Sequence, residues 1–170
     1  VFPSRRASLF FSDQVSKEIS QPIWLPPFYS IDDFIFSVTK LKPVNKLELF
    51  FDFYSIYINS VDSPHDVEKC HRWAEMLLND FDEIDRSLAP ASELFNYLSD
   101  VKRIENWHLE LEKNYQDIEN YLRFYNSLNS IYHLLRQRLL SKNTAYTGLA
   151  QRLIAEDLSL IKSWLKEKDK

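Results

Sequence analysis

Glycine is almost missing from this chain: Gly148 is the single one in 170 residues. Hairpins, bulges and tight turns draw on glycine, so a strand-rich fold is excluded in favour of long helices. The same scarcity excludes a Gly-x-x-x-x-Gly-Lys-Ser/Thr loop, and with it nucleotide binding of the P-loop type. Cys70 is the only cysteine, so no internal disulfide can form, which fits a reducing compartment. No apolar run approaches the length of a membrane span, and no signal peptide is visible; the expected location is the cytoplasm. A surplus of positive charge is lacking too. The formal net charge is -4, which leaves no global basic field of the kind that autonomous tight DNA binding needs.

What is present is apolar and aromatic. Hydrophobic residues make up 45% and aromatic ones 15%, enough to exclude disorder and to fill a proper core. Val1-Phe2-Pro3-Ser4-Arg5-Arg6-Ala7-Ser8 reads as the stub of a buried strand turning directly into a helix. Pro3 suits a helix start, and Ser4 and Ser8 bring hydroxyls close to the first backbone amides. With two guanidinium groups beside them, such a start can seat phosphate oxygens. The expected helix runs from Ser4 to Ile19, with Ala7, Phe11, Val15 and Ile19 on one face. Pro22 to Phe28 is too proline-rich for helix and reads as extended, with a short strand ending at Pro26. Ser30, with Asp33 three residues on, caps a helix to about Lys40. Strand, helix, extended segment and helix is a βαβ-like order, so the two extended segments are expected to lie parallel. The chain starts inside this element, so it is expected to be cut from something larger.

From about Lys42 the periodicity is helical throughout. Asn45 to Ser60 is apolar nearly all round and is expected to be buried between other elements. Ser63-Pro64 starts a helix carrying Val67, Cys70, Ala74, Leu77, Phe81, Ile84 and Leu88. Pro90 starts a short one to about Leu98. A long helix or broken pair spans Glu105 to Leu140, with Leu111, Tyr115, Ile118, Leu122, Tyr125, Leu128, Tyr132, Leu135 and Leu139 on its stripe. After Ser141 to Thr144, one last helix runs from about Ala145 to Lys166. The division is a partial α/β segment over residues 1–40 and a helical subdomain over 41–170, mainly α in sum.

Chemistry-bearing constellations are few. Asp80-Phe81-Asp82-Glu83-Ile84-Asp85 imitates the magnesium-binding end of an ATPase strand, but the apolar stripe runs through it unbroken, placing the acids on the outward face of a helix. Cys70 lies on that stripe as a small core residue. His65 and His71 flank it without metal-ligand spacing, and His108 and His133 stand alone. The aromatics are core residues first by their helical spacing; Trp24, Tyr29 and Tyr146, near helix breaks, either share that core role or stack on a base or a partner. No active site or cofactor site is visible. Arg5 and Arg6 either form an ion pair and a solvated neighbour, or contact a nucleic-acid backbone.

VFPSRRASLFF, QPIWLPPFYSIDDF, RWAEMLLNDFDEIDRSL and IYHLLRQRLLSKNTAYTGLAQR, in this order, resemble the N-terminal region of bacterial AddB-like proteins. Those are DNA-repair exonucleases with an inactivated superfamily 1 helicase-like region followed by a PD-(D/E)XK nuclease domain. The resemblance implies that residues 1–40 belong to a RecA-like domain and that 41–170 form a helical insertion of the 1B type. It also implies that Pro3 to Ser8 stands where active relatives carry motif Ia, making Ser4, Arg5 and Arg6 contacts to single-stranded DNA. This stretch would then be non-catalytic and without a cofactor of its own, with DNA and a helicase–nuclease partner subunit as its partners. The alternative is a helical module that docks such a subunit without touching DNA.

Overall fold

The computed structural model describes residues 1–107 and 115–168, with side chains described up to Val101 and again from Arg123. Among the described residues eight helices follow one another: α1 (Arg5–Glu18), α2 (Ile31–Thr39), α3 (Lys46–Ser60), α4 (Val67–Arg86), α5 (Ala91–Trp107), α6 (Tyr115–Ser141), α7 (Thr147–Glu156) and α8 (Ser159–Lys168). Two strands, β1 (Lys42–Pro43) and β2 (Thr144–Ala145), pair in parallel. The fold is mainly α, as expected. His108 and Leu111 lie outside the described residues, as do the side chains of Tyr115, Ile118 and Leu122.

Local signals set most of the boundaries. Ser30, Asn45 and Asp66 each accept the amide proton of the residue three positions on, the bond that satisfies one orphan donor of a helix start. Asp66 is the cap that starts α4, three residues later than Ser63 suggested. The C-terminal helical run divides at Asp157, whose carboxylate accepts from the Ser159 amide at 2.9 Å and so begins α8 as a separate helix. Asn143 turns the chain at φ 55° after α6, a conformation asparagine tolerates. Its carbonyl then accepts from Lys42 at 2.9 Å, opening the β1–β2 pair.

The core gathers one face of each helix from α2 to α7. Phe50, Phe53, Ile56 and Tyr57 of α3 meet Cys70, Ala74, Leu78 and Phe81 of α4, and Ile131, Leu135 and Leu139 of α6. Burial on α3 is one-sided, because Leu47, Phe51 and Ile58 are exposed; the helix is not enclosed as its composition suggested. α4 likewise turns Leu78 rather than Leu77 fully inward. Ile35 and Val38 of α2 enter the same core. α8 locks onto α2 through Trp164, which donates to Ser37 at 2.7 Å and meets Phe34 edge-on. No helix among the described residues is long and apolar enough to cross a membrane.

Candidate nucleic-acid interface

The start of α1 is built on one turn of extended chain. The Phe2 amide donates to Tyr29 at 2.7 Å and the Ile31 amide to Phe2 at 2.9 Å, so Phe2 and Ser30 form an isolated parallel bridge. The parallel pairing anticipated from the element order is present, but at Ser30. Pro22 to Phe28 forms no strand, since its prolines supply no ladder donors. Phe2, Phe11 and Phe28 close over the bridge as an aromatic trio with centroids 5.3–5.6 Å apart. Pro3 stands just outside the helix, and Ser4 is the N-cap, accepting from Ala7 at 3.2 Å. Ser8 turns its hydroxyl to the Arg5 carbonyl at 2.7 Å.

The two arginines then part company. Arg5 grips Asp33 of α2 with both Nε and its terminal nitrogen; the Nε–Oδ2 bond is 2.9 Å. Ser30 donates to the same carboxylate at 2.6 Å. The hydrogen bond from Arg5, followed by that from Ser30, holds the Asp33 carboxyl well below the usual carboxylate range, and Asp33 raises Arg5 in return. Arg5 is therefore committed to tying α1 to α2. Arg6 is exposed and makes no hydrogen bond or ion pair among the described residues. Ser4 is occupied by capping, so Arg6 is the cation at this helix start that is available to an anion.

No family model, curated protein or solved structure matches this chain.

The aromatic candidates separate as well. Trp24 is fully solvent-exposed in the loop before α2. Tyr29 packs edge-on against Trp164, with the Lys168 ammonium 5.5 Å from its ring. Tyr146 is 8% exposed and hydrogen-bonded in the core, so of its two readings it takes the core role and does not stack on a base. Cys70 is fully buried, and burial pushes its thiol up to about 11, so it is a core residue. His65 bonds through Nδ1 to the Tyr57 hydroxyl at 3.2 Å. Among the described residues no group of three His, Cys, Asp or Glu side chains is arranged to hold a metal ion.

The acidic run of α4 is helical, yet its acids do not all face outward. Asp85 is wholly buried. It accepts from the hydroxyls of Tyr132 and Tyr146 and pairs with Arg152 at 3.0 Å and Arg136 at 3.6 Å. Four side chains from α6, α7 and the residue before α7 thus converge on one carboxylate of α4. Desolvation by burial, then the Asp85 hydrogen bond, pushes Tyr132 up to about 12; burial raises Tyr146 in the same direction. Arg152 also donates to the carbonyls of Ile84, at 3.0 Å, and Ala89, placing a cation at the C-terminal end of the α4 dipole. A signal for Asp85 exists in the sequence. Cys70, Ala74, Leu78 and Phe81 step along the buried face at helical intervals, and Asp85 is the next position on it.

Proposed function

We propose that this chain is a non-catalytic, helicase-like N-terminal part of an AddB-like DNA-repair exonuclease, contacting the backbone of a DNA strand at the start of α1. Residues 1–40 would be the partial RecA-like segment and the remainder the 1B-type helical insertion. The observation that carries the reading is the position of Arg6. It is exposed and, among the described residues, unpaired on the first turn of a helix that follows directly from a parallel-bridged extended segment, and ligands in α/β sheets bind at the carboxyl ends of strands. Contact would be to phosphates, with little sequence readout.

The Arg5–Asp33 ion pair supports distinct roles within the arginine pair. Arg5 would position the helix start through Asp33, Ser4 would cap it, and Arg6 would meet the phosphate. In the full-length nuclease, single-stranded DNA affinity measured by fluorescence anisotropy should fall several-fold in Arg6→Ala, and the salt slope should drop by about one unit. Unchanged affinity and slope would sink the DNA role.

A second reading, a helical module that docks a partner helicase subunit without DNA contact, is favoured by the exposed Leu9, Phe10 and Trp24 near the same helix. It predicts that Leu9→Ser/Phe10→Ser weakens assembly with that subunit and leaves DNA affinity untouched.

A further inference from the structure

We infer that the cleft between α4 and the α5–α6 pair is a docking groove for an amphipathic helix with basic flanks. The cleft has a volume of about 530 Å³ and an open wall that is mostly carbon, formed by Met76, Leu77, Leu94, Leu98 and Phe124. Its α4 edge carries Met76, Asp80 and Glu83, continued by the C-cap Ser87, spaced at four, three and four residues. That ridge is roughly 16 Å long at the rise of an α-helix. Leu94 and Leu98 form the opposing ridge on α5. A trough between two helical ridges accepts a third helix, whose apolar side chains at i, i+3, i+4 and i+7 fill it.

Charge selects the occupant. Every other carboxylate of α4 has a partner: Glu68 with Arg72, Glu75 with Lys46, Asp82 with Arg86, and Asp85 with its buried arginines. Asp80 and Glu83, on the cleft rim, have none among the described residues. Two carboxylates without a partner among the described residues, beside an apolar trough, match lysine or arginine flanking an apolar helical stripe, and repel an acidic helix. Met76, the only methionine of the chain, is 66% exposed on the same rim, and methionine is the side chain that adapts most readily to an incoming apolar surface. This groove does not involve Arg6 and stands independently of DNA contact.

The test uses the whole chain and two synthetic helical peptides of about sixteen residues, long enough to hold helix on binding. Both carry leucines at i, i+3, i+4 and i+7; one flanks them with lysines and the other with glutamates. Anisotropy should show binding of the lysine peptide and none of the glutamate peptide, weakening as salt is raised. Asp80→Lys/Glu83→Lys, both at exposed positions, should weaken binding about tenfold. Met76→Gln should weaken it several-fold at unchanged charge, and Arg6→Ala should leave it alone. Circular dichroism of each variant confirms that the fold is kept. The inference is overturned if the lysine peptide does not bind, if both peptides bind equally, or if the charge reversal has no effect. Sedimentation showing self-association that the same reversal abolishes would assign the groove to a second copy and overturn it too.

Discussion

The Gly148 amide donates to the Asp82 carboxylate at 2.6 Å, and the Asp82 backbone carbonyl fills the space that a side chain on Gly148 would take. A methyl group built on Gly148 would stand 2.9 Å from Oδ1, 3.0 Å from the carbonyl carbon, and inside the radius of the carbonyl oxygen. The residue is needed for closeness rather than for an unusual backbone angle, since no glycine here has positive φ. α7 and α4 cross at this point, and the crossing places Tyr146 and Arg152 on Asp85.

Gly148→Ala should therefore destabilise the chain by about 3 kcal/mol, the upper end for overpacking, because the obstacle is backbone rather than a movable side chain. Urea denaturation followed by circular dichroism reads this directly. A change under about 0.5 kcal/mol would mean that the helices can part without cost.

Leu88 should respond in the opposite sense. α4 ends with Leu88 at φ 56°, and the Ala89 and Leu88 amides donate back to Ile84 and Asp85 at 3.1 and 3.2 Å. That is the helix ending in which glycine is usual at the left-handed position. Leu88 is half-exposed, so little packing is lost on its removal. Leu88→Gly should raise stability by about 0.5–1 kcal/mol, the relief of left-handed strain less the entropy of a freer unfolded chain. A lower urea midpoint would contradict this.

Asp85→Ala leaves two arginines and two tyrosyl hydroxyls without their acceptor in the interior. The expected loss is about 3–5 kcal/mol, typical of breaking a buried pair on one side. Asp85→Asn keeps an acceptor and should cost less. Equal losses for the two variants would show that the charge and not the hydrogen bonding is decisive.

Alkaline pH should unfold the chain through the same cluster. Tyr132 is raised from 10.0 to about 12, so the unfolded chain releases its proton first. The stabilisation is complete below pH 10 and is lost as pH rises towards about 12. Cys70, raised from 9.0 to about 11, adds a loss of the same sign beginning near pH 9. Urea midpoints across this range should fall, and the fall should be shallower in Tyr132→Phe, which has no phenol to ionise. Parallel slopes would remove Tyr132 from the account.

Helix class, caps and much of the core were legible in the sequence. Ser30 announces α2 because a cap is a bond between residues three apart, needing nothing from the rest of the chain. Tyr132, Leu135 and Leu139 announce the buried side of α6 because burial repeats with the helical turn. At Arg5 and Arg6 the sequence offered two equal cations, and Asp33, twenty-eight residues from Arg5, chose between them.

Near-absence of glycine by itself determined a helical chain, since without it the backbone has few inexpensive ways to turn sharply. Where the one glycine and the buried carboxylate belong was decided only in three dimensions. Gly148 and Asp82, like Asp85 and Tyr146, are more than sixty residues apart and meet because α7 lies across α4. Periodicity reports which face of a helix is covered; what covers it depends on how the helices cross, and there the acid of a solvated-looking run became the centre of the core.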